Sequence, residues 1–169
     1  MDAIEAMLSR RSVQQYTTQP VEDEVIDELL RAAMSACSAG STEPWHFVVI
    51  QERRALDNIA KLHPYAQMAK EAPVVVAVCG DEQTQKYMGL WVQDCAAATE
   101  NLLIAARAKG LGAVWLRVFP FVKLISAIRK LLSTPEHVTP FSLIPLGYPA
   151  EMKPPVDHYS SAHIRYNTW

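Results

Sequence analysis

The sequence predicts one domain of mixed helices and strands that is not a doubly wound nucleotide-binding sheet. Apolar residues recur at helical spacing in five segments, and four other segments read as buried strands. No Gly-x-Gly-x-x-Gly motif and no phosphate loop follows the first predicted strand, which argues against a dinucleotide-binding fold. A chain of 169 residues is long enough for one domain with its own core.

Composition excludes several classes of protein. The net charge of −2 argues against a nucleic-acid surface, and no apolar run reaches the length of a membrane span. The three cysteines have no metal-binding spacing, and Cys79 and Cys95 stand in apolar segments, where we expect inert core thiols. The odd cysteine count and the lack of a signal peptide predict a reducing, cytoplasmic setting.

The predicted helices cover residues 1–9, 20 to about 37, 53–62, 91–109 and 122–132. In the first, Ile4, Met7 and Leu8 share one face. The fourth is rich in alanine and apolar on more than one side, so we expect it to be central and packed against the sheet or another chain.

The predicted strands cover residues 45–51, 72–80, 112–118 and 140–149. The second is almost uninterrupted in its apolar character, so both of its faces should be covered. The tail, 150–169, is rich in aromatic residues and should lie on another surface rather than in water.

Two stretches are candidates for binding. Arg10, Arg11 and Ser12 end the first helix, where two guanidinium groups and a hydroxyl suit an anion; the alternative is a solvated surface pair. Ser38, Ala39, Gly40 and Ser41 form a small-residue loop before a buried strand, which lets backbone N–H groups approach a flat ligand; the alternative is an ordinary turn.

The order of these pieces resembles the nitroreductase family of FMN-dependent oxidoreductases, in its compact form. The resemblance rests on Arg-Arg-Ser at the first helix end, Ser-Ala-x-x-x-x-Pro-Trp-His-Phe, the Asn-Leu-Leu…Gly-Leu-Gly-Ala-Val-Trp junction and Pro-Leu-Gly-Tyr-Pro. It covers essentially the whole chain. It implies an α+β fold with a central, mostly antiparallel sheet flanked by helices, in an intertwined homodimer whose tail packs on the partner subunit.

The resemblance also assigns site residues. It implies that Arg10, Arg11 and Ser12 hold the FMN phosphate and ribityl chain, and that Gln14 lies beside the pyrimidine ring. It places the 38–41 loop over the flavin of the partner subunit. It brings the strand end Pro145, Leu146 and Gly147 to the flavin, with the backbone of Leu146 and Gly147 toward N5.

Three departures from the family pattern affect the expected chemistry. Gln14 replaces a cation, which lowers the expected two-electron potential because a neutral amide stabilises reduced, anionic flavin less. Glu43 replaces a glutamine and is either solvated or, as we favour, paired with an arginine. His158 and His163 replace tail arginines; they either form a pH-dependent phosphate clamp or are surface residues.

The implied activity is hydride transfer from NAD(P)H through FMN to an electron-poor acceptor, such as a nitroaromatic or a quinone, with ping-pong kinetics. No catalytic side chain and no metal are required. Tyr65, Met68 and Trp91 are candidates for the substrate pocket, with core packing as the alternative for each. The alternative functions are a flavin carrier, sensor or remodelling protein with little turnover, and a colourless structural module.

Overall fold

An antiparallel sheet with helices on both faces organises the chain in the computed structural model, which describes residues 1–169. The helices are α1 (Ala3–Ser9), α2 (Asp23–Met34), α3 (Arg53–Leu62), α4 (Trp91–Ala108) and α5 (Val122–Leu132). The strands are β1 (Trp45–Ile50), β2 (Val74–Asp81), β3 (Gly112–Ala113), β4 (Leu116–Arg117) and β5 (Val138–Gly147). The predicted helices and strands are therefore all present, with small shifts at their ends.

The sheet has the order β1-β2-β5-β3, and β4 also pairs with β5. Every pair of strands is antiparallel, which confirms the sheet type that the resemblance implied. The strand predicted over 112–118 is two short strands interrupted at Val114 and Trp115. β5 begins two residues earlier than predicted. It contains Pro140, which has no N–H to donate to a neighbouring strand, and the register with β2 shifts opposite it, between Val78 and Cys79.

The two faces of β2 are buried in separate cores, as its continuous apolar run predicted. Val74, Val76 and Val78 pack on the side of α2 and α4, in the core that contains Leu29 and Leu102. The alternate residues pack on the side of α3 and α5: Val75, Ala77 and Cys79. The sheet is thus the middle layer of three, and α4 is central, as expected.

Burial explains the chemistry of two cysteines. Cys79 and Cys95 are fully buried, and burial raises the pKa of Cys79 to about 12. Burial also raises the pKa of Cys95. Both thiols are therefore protonated at neutral pH, which confirms the prediction that they are inert.

Two segments keep their apolar side chains on the surface of the chain. Ile4, Met7 and Leu8 of α1 are 63%, 51% and 70% exposed, so the predicted apolar face is not buried within this chain. The tail 150–169 contains one helical turn, Ser161–His163, and its last residue, Trp169, is fully exposed. None of the helices has both the length and the apolar character that crossing a bilayer requires.

Candidate functional site

The segment that follows α1 lies along the edge of the sheet. Ser12 forms a parallel bridge with Ala113 of β3, and the Val13 N–H donates to the Ala113 carbonyl over 3.0 Å. A Cβ on Gly112 would lie 2.6 Å from the Cβ of Val13, so only glycine permits this approach. The sheet therefore fixes the position of the chain from Arg10 to Gln14.

Tyr16 anchors the same segment from the interior. Its buried hydroxyl lies 2.7 Å from the Val13 carbonyl and 3.0 Å from the Pro145 carbonyl, so one O–H is shared between two acceptors. Burial raises the pKa of Tyr16, which keeps the phenol protonated and able to donate. The segment is thus attached to both β3 and β5.

Four cations surround one end of this segment in what we call the basic pocket: Arg10, Arg11, Arg107 and Lys153. Arg107 and Lys153, which come from the end of α4 and from the tail, were not predicted from the sequence as site residues. Their signal in the sequence was only a cation near the end of an alanine-rich helix and a single lysine in the tail.

Contacts within the chain hold the cations of the basic pocket in place. The Arg10 Nε lies 3.2 Å from a carboxylate oxygen of Glu100, and the Arg107 Nε donates to the Ser9 hydroxyl over 2.9 Å. Arg11 donates to the carbonyl of Pro154, and the Lys153 ammonium donates to the Ser12 carbonyl over 3.2 Å. Residues of the tail therefore close this pocket, which encloses only about 20 Å³.

A larger space adjoins it and shares Arg10. We call it the tail groove; it has a volume of about 780 Å³ and lies between α1 and the start of the tail. Its lining includes Met7, Leu8, His158 and Tyr159. The structure therefore brings His158 to the same groove as Arg10, as the phosphate-clamp reading requires.

The other end of the segment opens into what we call the aromatic cleft. The cleft has a volume of about 730 Å³, and Gln14 lies in its wall. Its other walls include Tyr65, Trp115, Arg117, Phe121 and Lys123. The structure thus brings together Gln14 and Tyr65, which were predicted separately. The part of the wall formed by residues 114–117 was not predicted, because the sequence indicated one continuous strand there.

His63 joins two walls of the aromatic cleft. The Tyr65 N–H donates to its Nδ1 over 3.2 Å, so Nδ1 is the acceptor and the ring proton lies on Nε2. Nε2 then donates to the Arg117 carbonyl over 3.0 Å. This buried imidazole was not identified from the sequence, where it stood only as a break after α3.

We expect His63→Leu to destabilise the chain by about 1–3 kcal/mol, because it leaves the partly buried Tyr65 N–H and Arg117 carbonyl without their partner. His63→Gln keeps a donor near the Arg117 carbonyl, so it should recover part of the loss. Urea unfolding of the three proteins measures the effect. Equal stabilities for the leucine variant and the wild type would contradict the bridging role.

Leu146 and Gly147 lie inside the sheet. Leu146 is fully buried and pairs with Val74 on one side and with Ala113 on the other, while Gly147 pairs with Gly112. A Cβ on Gly147 would lie 2.6 Å from the Cδ of Pro73. Both residues are buried in this chain, and the contact of their backbone with flavin N5 stays a prediction.

The small-residue loop lies outside the pockets at both ends of the Arg10–Gln14 segment. Ala39 N–H donates to the buried carboxylate of Asp94 over 2.9 Å, and Gly40 and Ser41 have φ values of 67° and 55°. None of residues 38–41 lines the basic pocket, the tail groove or the aromatic cleft. Glu43 is exposed and forms no ion pair, so the favoured pairing with an arginine is wrong for this chain.

The remaining two pocket candidates are packing residues. Trp91 is 4% exposed and lies edge-on to Phe119 and Phe141, so the core alternative holds for it. Met68 is half-buried against the core on the α3 side and does not line the aromatic cleft. Of the three candidates, only Tyr65 lies in a cleft wall.

Comparison with known proteins gives one family. The sequence profile of the Nitroreductase family matches residues 7–63 and 61–148. A protein of Methanothermobacter thermautotrophicus, provisionally named NADH dehydrogenase/NAD(P)H nitroreductase, is 47% identical over 169 residues, covering 100% of this chain and 88% of that protein.

Solved structures agree with the sequence comparison. A crystal structure of a protein with the same provisional name, from Parabacteroides distasonis, superposes with a TM-score of 0.95 at 42% identity, covering 99% of this chain and 98% of the other. A provisionally named nitroreductase from Desulfovibrio desulfuricans, crystallised in complex with FMN, superposes with a TM-score of 0.86 at 26% identity, covering 100% of this chain and 98% of the other.

Proposed function

Because the chain belongs to the nitroreductase family of oxidoreductases, we propose that it binds FMN along the Arg10–Gln14 segment and transfers hydride from NAD(P)H to an electron-poor acceptor. The observation that carries this proposal is the placement of that segment. It begins in a cluster of cations and ends in an aromatic cleft. That combination matches a ligand with a doubly anionic group at one end and a flat ring system at the other.

The residues fit FMN at both ends. The basic pocket is too small for a phosphate, but Arg10 also faces the tail groove, which has room for one. A phosphate there would meet Arg10 and His158, beside the carboxylate of Asp157. Arg11 lines the adjoining basic pocket, and to reach the phosphate it would exchange the Pro154 carbonyl for this stronger acceptor. Residues 10–14 span about 13 Å when extended, which an extended five-carbon chain with its phosphate can follow.

At the other end, the cleft residues position a ring and limit the access of water. Gln14 offers a neutral amide to the edge of the ring, and Trp115 carries a buried Nε1–H without a partner. When bound, FMN supplies hydride acceptance and donation at N5. The protein needs only to hold the ring, to admit the donor and acceptor in turn, and to keep one face open between them.

We further propose that the site is completed in a homodimer. The support is the exposed apolar face of α1, formed by Ile4, Met7 and Leu8, together with the exposed aromatic tail. A partner that covers them would gain apolar burial worth about 25 cal/mol per Å². In such a dimer, the 38–41 loop would act on the partner's site. The tail 150–169 would pack on the partner subunit while its residues 155–159 line the groove beside Arg10 of their own chain. We place this single domain in the cytoplasm, with no nucleic-acid or membrane partner.

The visible spectrum tests the proposal directly. We expect the purified protein to be yellow, to bleach on anaerobic addition of NADH or NADPH, and to be reoxidised by a nitroaromatic or a quinone. A yellow protein that neither nicotinamide reduces would instead favour a flavin carrier, sensor or remodelling protein. A colourless protein that FMN does not convert to a yellow one would contradict the proposal altogether.

The residue at position 14 should set the flavin potential. We expect Gln14→Arg to raise the two-electron potential by about 20–60 mV, because a cation stabilises the reduced anion by about 1–3 kcal/mol more than an amide does. Gln15→Arg is the matched control, since Gln15 is exposed but does not line the cleft. Redox titration of both variants measures the effect, and an unchanged potential in Gln14→Arg would place the ring elsewhere.

A further inference from the structure

The charged side chains in the wall of the aromatic cleft all have the same sign. Its lining contains two residues that are ionised at neutral pH, Arg117 and Lys123, and no aspartate or glutamate. Arg117 is the last residue of β4, and Lys123 is in the first turn of α5. Both are exposed, so a small ligand in the cleft can reach them.

Neither cation has a partner in the chain. Their side chains take part in none of the ion pairs, whereas the cations Arg10, Arg53 and Lys109 are each paired with a carboxylate. The hydrogen bond at Arg117 uses its backbone carbonyl and leaves the guanidinium free. Two uncompensated positive charges in one cleft attract an anion more strongly than two ion-paired cations would.

The other walls of the same cleft favour a flat apolar ligand. Tyr65, Trp115 and Phe121 contribute aromatic surface, and leucines from three elements, α3, β4 and α5, add to it. A volume of about 730 Å³ leaves room for a second ring beside the one proposed above. In the proposed function the FMN phosphate binds at the opposite end of the Arg10–Gln14 segment. Arg117 and Lys123 are therefore free to bind the second ligand.

We infer that Arg117 and Lys123 make this cleft selective for planar aromatic acceptors that carry an anionic group, such as a carboxylate or a sulfonate. The inference rests on the proposed function, because it specifies the acceptor of that site. The cations bind the anionic substituent, and the ring lies between the aromatic walls. For a nitroaromatic carboxylate, the reaction is ArNO₂ + NAD(P)H + H⁺ → ArNO + NAD(P)⁺ + H₂O, and the carboxylate is unchanged.

The experiment compares 4-nitrobenzoate with its neutral methyl ester as acceptors of the FMN-loaded enzyme. The measured quantity is the ratio of kcat/KM for the acid to kcat/KM for the ester. We expect the ratio to fall about tenfold in Arg117→Gln/Lys123→Gln, since partly exposed charge contacts each contribute a few-fold. It should also fall with added salt in the wild type. The charge-matched control is Arg54→Gln/Lys130→Gln, whose residues are exposed and lie outside the cleft.

A second measurement does not depend on turnover. Calorimetric titration of 4-nitrobenzoate into the FMN-loaded chain and into the flavin-free chain should show weaker binding to the cleft double variant than to the control. An acid-to-ester ratio equal to that of the wild type overturns the inference while leaving the proposed function intact. The inference is also overturned if the dissociation constant of FMN rises in the cleft double variant by the same factor as that of 4-nitrobenzoate. The two cations would then hold the cofactor. If neither these two compounds nor a quinone is reduced, the proposed function fails, and weakened binding of the acid in the variant still supports an anion-binding role of the two cations.

Discussion

Replacing both arginines after α1 should remove most of the FMN affinity. In Arg10→Ala/Arg11→Ala we expect the dissociation constant to rise about 10²–10⁴-fold, because each charged hydrogen bond to a phosphate contributes about 1.5–3 kcal/mol. The Arg10 change also leaves Glu100 without its partner, which then repels the phosphate. Equilibrium dialysis of FMN against the purified, flavin-free protein measures this effect.

Two controls separate this effect from misfolding and from general electrostatics. Arg54→Ala removes a cation that is exposed on α3 and forms no ion pair, so it should leave the FMN affinity unchanged. Glu100→Gln keeps both arginines and removes the competing carboxylate, so it should tighten FMN binding modestly. If the double variant binds FMN as well as the Arg54 control does, the phosphate is held by other residues.

The elements of the fold were predictable because each has a local signal. The run of valines in β2 is apolar on both faces, and the alanine-rich pattern of α4 has no polar face wide enough for a surface helix. Both elements lie at the centre of the molecule. The limits of β5 were less predictable, since Pro140 argues locally against a central strand and is accommodated only by a shift in register.

The candidate site was predictable in part, for a related reason. Arg10 and Arg11 are adjacent in the sequence, so their charge is visible there, whereas Arg107 and Lys153 join them only through tertiary contacts. The lining of the aromatic cleft contains residues from position 14 to position 127. A local sequence pattern does not predict that residues so far apart in the chain line one cleft. Its His63 bridge depends on a contact across 54 residues.

The amphipathic pattern of a helix does not show whether its apolar face packs on the core of its own chain or on another subunit. The spacing of Ile4, Met7 and Leu8 predicts a buried face, but the structure shows that this chain does not bury it. The reason is that a core and a subunit interface impose the same spacing. The same ambiguity affects Trp91, whose aromatic side chain suited a pocket and a core equally until its packing against Phe119 was known.

The contact between Gly112 and Val13 should control both stability and cofactor binding. In Gly112→Ala the new Cβ would lie 2.6 Å from two side-chain atoms of Val13, which no flexible end can relieve. Either the segment leaves β3, with loss of the Val13–Ala113 hydrogen bond, or β3 itself shifts. We expect a destabilisation of about 1–3 kcal/mol from overpacking. We also expect FMN affinity to fall at least about tenfold, because Arg10 and Gln14 are displaced together.

Two further variants distinguish a steric displacement from a simple loss of packing. Val13→Ala removes the outer atoms without introducing a collision, so it should cost about 1 kcal/mol of stability while FMN affinity is retained. Val13→Gly/Gly112→Ala removes the three atoms nearest to the new Cβ, and it should therefore recover FMN affinity relative to Gly112→Ala. Denaturant unfolding and FMN titration on the same samples give both quantities. Wild-type affinity in Gly112→Ala would show that the close approach to β3 does not position the binding segment, and the connection drawn here between the sheet and the cofactor would then fail.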